Sequence, residues 1–165
     1  MAVLDLLDRL LEHDRWTTRR VLDLAATLTE AQLDQEFDLG HRTLRHTLRH
    51  LVGNIEIWTD LMMGRPIQPD PGAPPTLSEL RRRWAHALDE FARLARSLRD
   101  AGRLNETYLD VLDQPPQPKS FGGTLLHVLT HDHLHRAEVL HMLDRLGVPG
   151  LIEGDVLSWE AASRK

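Results

Sequence analysis

Leu4, Leu7, Leu11, Val21, Leu24, Ala25 and Leu28 recur three and four residues apart, with acids and arginines between them. That period predicts an amphipathic helix from about Ala2 to Leu28. Thr29-Glu30-Ala31-Gln32 reads as a turn with a short helical start, and Gly40 breaks the pattern. A second helix is expected from about Thr43 to Met63, stopped by Gly64 and Pro66. Pro66, Pro69, Pro71, Pro74 and Pro75 then crowd into ten residues. Proline lacks an amide donor and resists the helix, so this stretch reads as an extended crossover along a bundle.

Thr76, three residues before Glu79, forms a capping box that opens a third helix running to about Ala101-Gly102. The next stretch changes character. Thr107 to Leu112 is strand-like and Pro115, Pro116 and Pro118 follow, which predicts an irregular segment with a short hairpin. A fourth helix is expected from about Thr124 to Leu146, halted by Gly147-Val148-Pro149. The tail from Leu151 to Lys165 should be ordered around Val156, Leu157 and Trp159. Four long helices and one Pro-rich crossover make residues 1–165 a single all-α domain, a four-helix bundle.

Composition narrows the chemistry more than the fold. The chain has no cysteine, which removes disulfides, thiolate metal sites and a cysteine nucleophile together. Any metal must sit on His, Asp, Glu or water, a donor set suited to zinc or nickel, with iron or manganese also accommodated. The net charge is −5 and no basic tract stands out, so nucleic acid finds no electrostatic footprint. No apolar run approaches a membrane span, and the N-terminus lacks the basic start and cleavage site of a signal peptide. A cytoplasmic protein is the expectation.

The chain has ten histidines, and random placement would give only ~0.6 pairs four residues apart. Three such pairs occur: His46–His50, His127–His131 and His131–His135. Residues four apart share one helix face, so His131 and His135 can reach a single ion. A third ligand must come from another helix. His50 sits in an apolar stretch where a buried imidazole wants a partner; His46 and His127 are its rivals. His41, His86, His133 and His141 read as ordinary partly exposed histidines. No HExxH, nucleophilic triad or phosphate loop is visible, and Glu138–His141 alone does not make a carboxylate di-metal site.

The run Leu126-His127-Val128-Leu129-Thr130-His131-Asp132-His133-Leu134-His135-Arg136 resembles the closing-helix signature of the DinB/YfiT-like proteins, two histidines four apart followed by Arg. His50 to Trp58 is similar to that family's second-helix signature, and Asp14-Arg15-Trp16 and Asp155 to Trp159 are weaker matches. The resemblance implies an up-down-down-up bundle and a divalent metal on His50, His131 and His135. Ala137 and Glu138 depart from the family's usual Gly-Gln.

Three neutral imidazoles leave a metal open to substrate. The resemblance supplies two activities: transfer of a low-molecular-weight thiol to an electrophile, or hydrolysis by metal-activated water. The first is preferred because no Glu or Asp base is evident beside the ligands. The non-enzymatic reading is a stress-induced dimeric metal-binding protein. Exposed apolar positions suggest a homodimer. Asn54, one turn from His50, is a candidate to orient a ligand; His13 and Trp16 are candidate cavity residues; Arg136 is expected to pair with an acid across the bundle.

Overall fold

The computed structural model describes residues 4–69 and 72–164. The expected helix start at Ala2, and also Pro71 and Lys165, lie outside the described residues. The order is α1 (Leu6–Ala25), α2 (Glu30–Leu33), α3 (Leu44–Met62), α4 (Leu77–Asp100), β1 (Thr107–Asp110), β2 (Gln117–Ser120), α5 (Phe121–Arg145) and α6 (Val156–Ser163). The chain is therefore mostly helical, as the apolar period predicts.

Each long helix starts at a side-chain cap that satisfies an orphan amide: Asp5 for α1, Thr43 for α3, Thr76 for α4 and Ser120 for α5. The Thr76–Glu79 capping box forms in both directions. Helix α1 stops three residues earlier than the Leu stripe suggests, because Thr29 opens α2 with a capping box of its own. Helix α5 begins earlier than expected, at Phe121. Ser120 caps it and the two glycines lie in its first turn, where the Gly122 amide donates to the Leu104 carbonyl at 2.8 Å. A Cβ at Gly122 would stand 3.0 Å from that oxygen, which explains the small residue.

The segment after α4 forms the short hairpin. Tyr108 pairs with Lys119 and Asp110 with Gln117 across an antiparallel ladder. Tyr108 stacks on Phe121 and its hydroxyl meets Thr124 Oγ1 at 2.9 Å, so the hairpin is fastened to the start of α5. In the tail, Asp155 caps α6 and Trp159 is buried.

Helix α3 packs on α4 and α5, and α1 packs on α5 and α4. The four long helices therefore close a ring in the order α1, α5, α3, α4. Its core is filled by Val21 and Leu22 from α1, Leu51 and Ile55 from α3, Leu88 and Phe91 from α4, and Val139 and Met142 from α5, all almost fully buried. Each such side chain contributes about 1.5–3 kcal/mol by leaving water. This rigid frame sets α3 beside α5, which is what brings their histidines together. No helix among the described residues is long and apolar enough to cross a membrane.

Candidate metal centre

His50 projects from α3, and His131 and His135 from successive turns of α5. Their rings converge. His50 Nε2 lies 3.3 Å from His131 Nε2, and His135 Nε2 lies 3.3 Å from the same atom. An ion bound tetrahedrally at roughly 2.0–2.1 Å separates its donors by about 3.3–3.4 Å, the edge of that tetrahedron. His131 Nε2 thus stands at that spacing from both His50 and His135, the other two residues of the set that the resemblance implies.

A fourth histidine is also present. One ring nitrogen from each of His41, His50 and His135 lies within 4.8 Å of the others. The His41 ring stacks on His50 with centroids 3.9 Å apart, and it is 5.1 Å from His135. The two overlapping triads share His50 and His135. The 3.3 Å spacings belong to the set with His131. His41 was expected to be an ordinary histidine; the structure instead sets it against the cluster, because the loop before α3 folds back over the start of that helix.

The outer nitrogens are treated differently. His135 Nδ1 donates to Glu138 Oε2 at 2.7 Å. That bond fixes the proton on Nδ1 and leaves the Nε2 lone pair facing the cluster. His131 Nδ1 is buried without a hydrogen-bond partner among the described residues, and the nearest acid oxygen, Asp132 Oδ1, is 4.0 Å away. Asn54 Nδ2 donates to that same oxygen at 3.0 Å. Asn54 therefore braces Asp132 from across the bundle and does not orient a ligand directly.

Contrary to the sequence expectation, acids do lie beside these histidines. Glu138 and Asp132 are both there. Both approach from the Nδ1 side of a ring, behind it, away from the side where the Nε2 atoms converge. Glu138→Ala is expected to weaken metal binding by about 10–100-fold, the usual cost of losing an outer-shell partner, while leaving the stoichiometry intact at saturating metal. Competition against a chromophoric chelator measures this.

Burial pushes His50 down to about 4, helped by the neighbouring His41, His135 and His131. Burial likewise pushes His131 down to about 4, with His135, His127 and His41 adding to it. These rings are neutral at physiological pH, as metal ligands must be. Between pH 6.5 and about 4 the unfolded chain takes up protons on them that the folded chain refuses. Acid in that window therefore favours unfolding. The melting temperature of metal-free protein is expected to fall as the pH is lowered from 6.5 to 4. A profile that stays flat there in wild type, and matches a His50→Ala, His131→Ala variant, would contradict the assignment of these neutral rings.

The other candidates fall elsewhere. His46 is exposed and lines a cleft beside the cluster. His127 is exposed, edge-on to Trp58, one turn before His131 toward the start of α5. His13 does not share the cavity: its Nε2 meets the Gly154 carbonyl at 2.9 Å and its ring faces Trp159. Trp16 is half-buried on α1 and is not part of the cleft wall. Arg136 pairs with Asp14 across the bundle, as expected. His133 and His141 are exposed.

The cleft has a volume of about 1160 Å³ and runs between α3, α4 and the Pro-rich segment. His41, His50, Asn54 and Trp58 are in its wall, as are the ion-paired Arg83 and Glu56. A small molecule in this space would touch the cluster at His41 and His50, while His131 and His135 stand outside the cleft wall.

A family model described as the DinB family aligns with residues 2–156. No curated protein matches the chain.

Proposed function

We propose, from the premise that this chain belongs to the DinB family, that it is a metal-dependent enzyme holding one divalent ion on His50, His131 and His135 and transferring a low-molecular-weight thiol to an electrophile. The observation that carries the reading is His131 Nε2 standing 3.3 Å from both His50 Nε2 and His135 Nε2, the edge length of a tetrahedral site, with His50 also in the wall of an open cleft. Imidazole donors bring no negative charge to an ion, so a bound ion would keep its full charge and act as a strong Lewis acid that lowers the pKa of a thiol or water at its open position. With nitrogen donors and no thiolate in the chain, zinc and nickel suit the set best.

The protein's own groups have distinct tasks. Glu138 holds the His135 ring in the tautomer that presents Nε2. Asn54 and Asp132 back the turn of α5 that carries His131. The cleft admits the electrophile beside His50. Transfer would form a carbon–sulfur bond with the thiol's electron pair, release its proton to solvent, and expel the leaving group with the electrons of the broken bond. Hydrolysis would ask for a carboxylate base facing the open position, and both nearby acids lie behind the rings. Leu126 and Leu134, exposed two turns apart on α5, are the apolar positions a homodimer would cover.

The experiment supplies zinc- or nickel-loaded protein with a monothiol and a chloronitrobenzene electrophile and follows free thiol. Thiol consumption that disappears in His131→Ala supports the reading. Cleavage of amide or ester substrates with no thiol consumed would replace it with the hydrolase.

A further inference from the structure

The loop between α2 and α3 is built as though to hold His41 in one place. Its backbone takes the left-handed conformation twice, at Gly40 (φ 49°) and at Arg42 (φ 71°), flanking the histidine on both sides. For arginine that conformation is uncommon and costs energy, so the surrounding structure must enforce it. The enforcement is visible. The Phe37 amide donates to the Arg42 carbonyl at 2.6 Å, and the Arg42 amide donates to the Leu39 carbonyl at 2.9 Å. Phe37 is buried, and the Arg145 guanidinium lies over its ring.

Gly40 adds a second link. A Cβ at this position would run into the carboxylate of Glu138, the group that holds His135. The loop backbone is therefore seated directly on the carboxylate that holds His135, and a Cβ here would have to push that carboxylate aside at a φ that already favours glycine. The result is a half-buried imidazole stacked on His50, with a ring nitrogen within 4.8 Å of nitrogens on His50 and His135.

Resting on the metal site proposed above, we infer that His41 is an exchangeable fourth ligand, a loop-borne imidazole that caps the ion in the resting protein and yields its place to the donor atom of an incoming substrate. Three histidines on rigid helices hold the ion. The fourth comes from the loop and not from the helical frame, and its imidazole can swing off the ion by a rotamer change while the backbone at Gly40 and Arg42 stays in place. A cap of this kind keeps adventitious anions and thiols off the ion until a substrate that also fills the cleft competes for the position.

The test uses cobalt(II) as a spectroscopic probe in wild type and His41→Ala, with thiocyanate as the competing ligand. Both proteins should take up cobalt to the same stoichiometry. The visible d–d bands should differ between them, because one nitrogen donor is replaced by solvent. Thiocyanate should bind His41→Ala about tenfold more tightly, as expected if the cap occupies the position about nine-tenths of the time. Gly40→Ala, which pushes the loop off Glu138, should shift bands and affinity in the same direction. Equal cobalt uptake with identical bands and identical thiocyanate affinity in wild type and His41→Ala overturns the fourth ligand and leaves the three-histidine site standing. Failure of wild type to take up cobalt overturns both.

Discussion

His50→Ala is expected to release the divalent ion, with affinity falling roughly a thousandfold. A zinc site in a small protein is worth on the order of 10–16 kcal/mol, so one ligand of three or four carries about 4 kcal/mol. His50 is the informative position because it alone crosses from α3 to α5. Its Nε2 meets His131 Nε2 at 3.3 Å, whereas His131 and His135 are joined by their own helix whether or not metal is bound. Losing His50 leaves two imidazoles one turn apart, a weak chelate. The change should cost little fold stability without metal, since the ring is only partly buried and its neutral form gains no ion pair. The control is His133→Ala. It removes an exposed histidine two residues from each α5 ligand and should leave affinity unchanged. Equal metal affinity in His50→Ala and wild type would move the site elsewhere.

Arg136→Ala should produce the largest stability loss in the molecule. The side chain is 2% exposed, and Asp14 and Asp132 near it are 1% and 0% exposed. Arg136 Nη1 donates to Asp14 Oδ1 and, at 3.2 Å, to Thr18 Oγ1. Removing the only buried guanidinium in this cluster leaves carboxyl groups in the core with no cation. Breaking a buried pair from one side costs about 3–5 kcal/mol. For a chain of this size that is a drop in melting temperature of roughly 10 °C or more.

The pH dependence has a definite sign. Burial, reinforced by Asp14, already holds the Asp132 carboxyl well above the ordinary range, while Arg136 and Asn54 pull it down. Without Arg136 it rises further. A folded carboxyl that binds its proton more tightly than the unfolded one makes stability fall as pH rises. The gap between wild type and Arg136→Ala should therefore widen as the pH is raised above the ordinary carboxylate range. For contrast, Arg145→Ala breaks an exposed pair with Asp38 and removes the guanidinium from over the Phe37 ring, and should cost much less than Arg136→Ala. An Arg136→Ala variant that melts like Arg145→Ala would show that the buried cluster is not held by its arginine.

The helices were legible because their causes are local. A Leu at every third or fourth position, a Thr three residues before a Glu, and a Gly followed by a Pro each act within a turn or two. The His131–His135 pair was legible for the same reason. Its partner across the bundle was not: spacing alone left His46, His50 and His127 open, and the resemblance to a family selected His50. His41 escaped notice because it lies in a loop, where no period links a residue to a site. What places it is the backbone at Gly40 and Arg42 and the packing of Phe37, none of which has a sequence signature at that distance. Glu138 was within reach. It is three residues past His135 on the same helix face, the spacing of side chains that touch, but it was read forward toward His141. The brace of Asn54 on Asp132 joins residues 78 apart in sequence, and only the α3–α5 packing makes it visible.

The central claim is a metal ion held by histidines from α3 and α5. Its most direct test is elemental analysis by mass spectrometry of protein purified without added metal, alongside His131→Ala prepared identically. The account predicts a single divalent ion per chain in wild type, zinc or nickel foremost, and almost none in the variant. Wild-type protein that carries no divalent metal and binds none on dialysis against zinc or nickel, or a His131→Ala variant that keeps full stoichiometry, would contradict it.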